Sequence, residues 1–154
     1  MKRFKVSATG GTFDILHKGH MAILAKSFEL SEDVIIGLCG DRMASRKGKK
    51  LLHVYEQRLE NLHNALNKNF PDAKYSISHL DDDFGPAMLE DKVDALIASD
   101  ETSYKGIELN TKRTQKGLKP IEIISVDMVM AYDDKPISST RIRNNEVDFE
   151  GHRA

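Results

Sequence analysis

The sequence predicts an α/β fold, a doubly wound parallel sheet with helices on both faces, and three observations predict it. Short β-branched apolar runs alternate with stretches of three- and four-residue apolar periodicity. The central run, "DVIIGLCG", is apolar throughout instead of alternating, as a strand buried on both faces requires. No linker, repeat or low-complexity tract breaks the 154 residues, so a single domain over residues 1–154 is expected.

The elements follow in order. "FKVSA" reads as the first strand, Gly10 and Gly11 as the turn after it, and Met21, Leu24 and Phe28 as the inner face of a first helix. "DVIIGLCG" is the second strand, and Val54, Leu59, Leu62 and Leu66 mark a second helix. "KYSISHL", "VDALIAS" and "IEIISVDMV" are the later strands, and a helix between the last two should stop near Gly117 and Pro120. "DDDFGP" reads as a surface loop. A last short helix should open at "SST", because serine and threonine cap helix N-termini.

Composition narrows the function. Apolar residues at 40% and charged residues at 31% describe a globular chain. A net charge of −1 argues against a general nucleic-acid or membrane binder, since those partners draw on a basic surplus. The lone Cys39 cannot form an intramolecular disulfide, the N-terminal "MKRFKVSATGG" lacks a signal peptide's apolar run, and no apolar run nears the roughly 18 residues of a membrane span. A cytoplasmic protein is expected.

Doubly wound sheets bind ligands outside the carboxyl ends of their strands, so the loops after strands carry the candidates. Gly10 and Gly11 let a backbone approach a phosphate closely, and Thr12 adds a hydroxyl; the same glycines also suit a tight turn with positive φ. His17 and His20 flank Gly19 at the start of the first helix, where both rings can face one point and donate to phosphate oxygens. The same pair suits capping, or zinc if a third ligand exists, and Cys39, His53, His63 and His79 show no ligand-like spacing to it. Ser138, Ser139 and Thr140 can form a phosphate cradle with the free amides of a helix start. Arg143, three and four residues beyond Thr140 and Ser139, shares that face, while Arg141 points elsewhere. An ordinary N-cap with solvated arginines has the same pattern. "SRKGKK", Ser45 to Lys50, offers a lysine for a second phosphate or forms a solvated loop, and "SDET", Ser99 to Thr102, can touch a ribose but reads first as the cap of the next helix.

Taken together, "GTFDILHKGH" after the first strand and "ISSTRIR" near the C-terminus resemble the nucleotidylyltransferase superfamily, whose marks are GTFD-x-x-H-x-G-H and ISSTxxR. Within it the chain resembles the phosphopantetheine adenylyltransferases of the archaeal and eukaryotic type, through "VIIGLCGDRM", "YEQRL", "DDDFGPAMLED", "SDETSYKG", "KGLKPIEII" and "YDDKPISSTRIRNNEVD". The resemblance runs nearly end to end. It implies five parallel strands in the order 3-2-1-4-5, with the active site above strands one and four. It also implies ATP with Mg2+ and 4′-phosphopantetheine as acceptor. By the same resemblance Gly11, Thr12, Phe13, Gly19, His20, Ser138, Ser139, Thr140 and Arg143 surround ATP, Thr12 and Lys49 hold the acceptor, and His17, His20, Lys49 and Arg143 form the catalytic set. Bacterial members have threonine where His17 stands, so their first position says nothing about His17. Cytidylyltransferases of the superfamily carry "RTxGISTT" and nicotinamide mononucleotide adenylyltransferases open with "GRFQPFHxGH"; neither pattern is here. An archaeal-type FAD synthetase and a catalytically inactive nucleotide-binding regulatory module are the alternatives.

Overall fold

The fold is taken from a computed structural model, and the structure describes residues 2–82, 84–85 and 90–154. Five strands, β1 (Phe4–Gly11), β2 (Ser31–Cys39), β3 (Tyr75–Leu80), β4 (Ala95–Ser99) and β5 (Glu122–Val126), form one sheet in the order β3-β2-β1-β4-β5. All four pairings are parallel. The helices described in full are α1 (Lys18–Leu30), α2 (Asp41–Arg46), α3 (Tyr55–Asn69), α4 (Lys105–Gln115) and α5 (Ser139–Arg143). The strand order reverses direction about β1, so the crevice that such sheets use for ligands opens beyond Gly11 and Ser99.

The continuous apolar run of β2 covers both faces of the sheet. Val34, Ile36 and Leu38 pack with Leu24 of α1 and with Leu62 and Leu66 of α3, while Ile35 on the opposite pleat joins Ala8, Val93, Ile121 and Leu109 of α4. Period-two alternation of side chains makes this division unavoidable once both faces carry helices. The β4 strand does the same, with Ala95 and Ile97 turned to Ile23 and Leu30 of α1, and Leu96 to the α4 side.

Four expectations are corrected. Gly10 and Gly11 belong to β1 instead of a turn, and neither has positive φ. Gly10 lies opposite Gly37 of β2, where an added β-carbon would sit 3.2 Å from the Gly37 carbonyl oxygen and 3.3 Å from Leu80 Cδ1. The left-handed residue of the loop is Phe13, at φ 49°. Val54 is not on the buried stripe of α3 but is its exposed N-cap; the stripe is Arg58, Leu62 and Leu66. Ser45 and Arg46 lie in α2, so the basic loop starts at Lys47. Ser99 to Thr102 do not cap α4, whose N-cap is Tyr104 without a side-chain bond; the Ser99 and Thr102 hydroxyls bond each other at 3.1 Å.

The two later helices keep to expectation. The β4–β5 connection is helical and α4 ends just before Gly117, which takes φ +78°. Ser138 caps α5. The surface loop expected at "DDDFGP" falls partly outside the described residues, at Asp83 and Pro86; within it Asp82 accepts from the Phe84 and Gly85 amides. Among the described residues no helix is long and apolar enough to cross a membrane.

Candidate active site

Both motifs meet over the carboxyl edge of the sheet. Arg143 Nη1 of α5 donates to Asp14 Oδ2 at 2.7 Å, and the Ser139 hydroxyl donates to the Ile15 carbonyl at 3.0 Å. They share one cavity of about 490 Å³ with Lys49 and the end of β4, within the size range of small-molecule sites.

Asp14 ties this edge together, and sequence reasoning had passed over it. Its carboxylate, on a side chain 1% exposed, accepts from the Leu52 and His53 amides, each at 3.0 Å, as well as from Arg143. Burial alone would raise its pKa; the two amide donors, with Arg143 and His53, outweigh burial and hold it below the ordinary carboxylate value. One residue therefore anchors the first motif, the loop bearing Lys49 and α5.

The start of α1 is closed by its own histidines. His17 Nδ1 accepts from the Gly19 amide at 3.0 Å, and His20 Nδ1 accepts from the His17 amide at 3.3 Å. The rings lie 3.9 Å apart, and His20 rests 5.0 Å from the Phe13 ring. Burial pushes His17 down to about 4 and His20 to about 3, with His17 and Lys49 adding to the shift at His20. Both imidazoles are thus neutral near pH 7, and because each Nδ1 lone pair takes an amide hydrogen, the ring proton sits on Nε2. The pair offers two N–H donors and no basic nitrogen. Among the described residues no group of three or more His, Cys, Asp or Glu gathers to hold a metal ion.

The first amides of this helix are already bonded, and the imidazoles cap it, one of the readings the sequence allows. Lys18 N donates to the Phe149 carbonyl at 3.2 Å and Gly19 N to His17, so the anion-attracting end of α1 works mainly through its imidazoles. At α5, Ser138 Oγ accepts from Arg141 N and Thr140 Oγ1 from Arg143 Nη2, both at 3.1 Å, which leaves each hydroxyl hydrogen for a ligand. Ser139 has committed its hydroxyl to Ile15, so what it can give an anion is its backbone N–H. Arg141 pairs with Asp133 and Glu146, away from the cavity, as its spacing implied.

Lys49 Nζ donates to Thr12 Oγ1 at 3.1 Å, and burial lowers its pKa, with smaller contributions from Lys47, Lys105 and Arg143 opposed by Cys39. Phe13 is 3% exposed and anchors the loop in the core, so its placement at the site is that of a support. Gly11 lies against that ring, where an added β-carbon would meet Phe13 Cε2 at 3.2 Å. Gly19 likewise has no room for a β-carbon, which would fall 2.8 Å from His17 Cε1.

Arg58, the second residue that sequence reasoning missed, is fully buried. It donates to the carbonyls of Thr12, Cys39 and His53 at 2.9, 2.7 and 3.1 Å, and to Asp41 Oδ1 at 2.7 Å. The bonds to Cys39, Asp41 and His53 clamp both ends of the segment that carries Lys49. A signal was present: Arg58, Leu62 and Leu66 recur at four-residue spacing, which puts an arginine on the apolar face of its helix.

This sheet order and this pair of facing motifs define the Cytidylyltransferase-like class, whose family description matches residues 8–145. The chain is 38% identical to the phosphopantetheine adenylyltransferase of Methanothermobacter thermautotrophicus, across 98% of this chain and 90% of that one. It is 42% identical to that of Methanosarcina barkeri, across 94% and 89%. Among solved structures, a protein of unknown function from Archaeoglobus fulgidus superposes with a TM-score of 0.71 at 30% identity, over 80% of this chain and 90% of that one. The chain belongs to the phosphopantetheine adenylyltransferase family.

Proposed function

We propose that this protein transfers the adenylyl group of ATP to 4′-phosphopantetheine, yielding dephospho-coenzyme A and pyrophosphate, a step of coenzyme A biosynthesis. The observation that carries the mechanism is a pair of imidazoles, each with Nδ1 accepting a backbone amide, in one cavity with a hydroxyl- and arginine-bearing helix start. A phosphate oxygen of phosphopantetheine attacks the α-phosphorus of ATP. The bond from that phosphorus to the oxygen bridging to the β-phosphate breaks, and pyrophosphate leaves with the electron pair. The nucleophile arrives as an anion, so no residue has to remove a proton. Positioning and charge stabilisation do the work, and orientation alone is worth about 7–11 kcal/mol in favourable cases.

In this reading Thr12 and Lys49 hold the acceptor phosphate. His20 and His17 donate to the α-phosphate oxygens as charge redistributes in the five-coordinate state. Ser138, Thr140, the Ser139 amide and Arg143 receive the β- and γ-phosphates. We infer that magnesium enters with ATP as part of the substrate. Asp14 is already bonded to two amides and Arg143, so the oxygens that suit the ion are those of the triphosphate and water. The compartment is read as cytoplasmic, on the single free thiol, Cys39.

An acceptor screen tests the reading. With ATP, phosphopantetheine should release pyrophosphate faster than flavin mononucleotide or nicotinamide mononucleotide, and CTP should serve poorly. Faster turnover of flavin mononucleotide would reassign the acceptor, and ATP binding without pyrophosphate release would make the protein a binding module.

A further inference from the structure

The C-terminal turn bonds the first motif through Phe149, whose carbonyl accepts from Lys18 N at 3.2 Å. Three consecutive amides, His17 N, Lys18 N and Gly19 N, donate to three acceptors: His20 Nδ1, the Phe149 carbonyl and His17 Nδ1. Two of these acceptors are the imidazoles themselves. The third comes from outside the motif, more than a hundred residues away in sequence. The imidazoles hold the right orientation only while the amides that cap them hold theirs. Phe149 O therefore fixes the middle amide between both caps.

The turn that presents this carbonyl is internally braced. Asp148 Oδ1 accepts from Glu150 N at 2.9 Å and His152 N at 2.8 Å, and Asp148 N donates to the His152 carbonyl at 2.9 Å. Gly151 takes φ +85°, its carbonyl accepts from Tyr132 N at 2.8 Å, and a β-carbon there would lie 2.8 Å from Ile137 Cδ1. Ile137 with Ala131 and Val147 forms a small apolar cluster that also holds Ile142 of α5. The turn is thus packed on the α5 side and bonded to the α1 side.

We propose that the turn Asp148–His152 is a positioning strap: through the Phe149 carbonyl it sets the angle of His17 and His20 against the triphosphate-binding face of α5. Asp148 and Gly151 are the residues that shape it, and neither lines the cavity. The proposal rests on the adenylyl-transfer reading above.

The test compares full-length wild type with Asp148→Ala and Asp148→Asn. Asparagine keeps Oδ1, which accepts both amide bonds; alanine removes it. In Asp148→Ala, amide hydrogen exchange at Lys18 should speed up at least about 10-fold. Because a misplacement near 1 Å can cost about 100-fold, its kcat should fall by about 10- to 100-fold while the KM for ATP changes less than about threefold. Asp148→Asn should restore both. A folded Asp148→Ala enzyme with normal kcat overturns the proposal, even if its Tm is lower. A wild-type Lys18 amide that exchanges as freely as an open one also overturns it, and that measurement does not require the alanine variant to fold. If the wild type gives no pyrophosphate with phosphopantetheine, the functional reading fails instead, while the exchange data still judge the strap.

Discussion

The two helix starts at the cavity, α1 and α5, use the same backbone geometry for opposite ends. At α1 the early amides are consumed, Lys18 N by Phe149 and Gly19 N by His17, and the site is left with two desolvated, uncharged N–H donors. At α5 only Arg141 N goes to the cap, and the helix brings hydroxyls and the permanent charge of Arg143. A neutral, fixed donor suits the inner phosphorus, where charge shifts during the reaction and a mobile full charge would bind ground state and transition state alike. A cation suits the outer phosphates, which carry charge throughout. Which donors a helix start offers is decided by what has already bonded its amides.

The largest effect should come from the α1 side. His20→Ala is expected to lower kcat by about 100-fold or more, about 2.7–4 kcal/mol, while ATP affinity changes little; stopped-flow turnover with a separate ATP titration would show the split, and near-normal turnover removes His20 from the chemistry. On the α5 side the pattern should invert. Arg143→Lys is expected to raise the KM for ATP by about 10-fold with a smaller change in kcat, because it loses the guanidinium fork that reaches Asp14 and Thr140 together. A larger drop in kcat than in apparent affinity would mean that α5 also acts on the transition state. Lys49→Ala should raise the KM for phosphopantetheine and leave that for ATP nearly unchanged, and an unaltered acceptor KM would reassign the residue.

The smallest effect is the most direct check on the neutral pair. In the free protein, ring-nitrogen NMR should report His17 and His20 as the neutral Nε2–H tautomer from pH 8 down to about 5, with midpoints near 4 and 3. A midpoint near 6.5 at either ring would erase the contrast between α1 and α5. The sign for stability follows from linkage. Below pH 6.5 the unfolded chain binds protons at these two positions that the folded chain refuses, so their contribution is full above 6.5 and is lost as pH falls toward 3. Replacing both by asparagine should therefore flatten the loss of Tm between pH 6.5 and 4.

Much of the fold was legible because it is written in local pattern. The uninterrupted apolar run of β2 called for burial on both faces, Ser138 announced a helix start, and Gly117 marked the end of another. The motif residues were legible too, since their chemistry depends on type and spacing. Partnership was not. Asp14 stood inside the quoted motif, yet its four anchoring bonds reach Leu52, His53 and Arg143 across as many as 129 positions. Arg58 shares the four-residue spacing of Leu62 and Leu66, but the three carbonyls it is buried against belong to other segments.

The alternation of strands and helices and the inventory of donors are local properties, because hydrophobic period and side-chain type depend on neighbours along the chain. The tertiary structure alone decided which donors remain available: Ser139 spends its hydroxyl on Ile15, Lys18 its amide on Phe149, and both imidazoles their Nδ1 lone pairs on backbone. A buried polar group must find a partner, and which partner it finds depends on segments distant in sequence that folding brings within 3 Å or so.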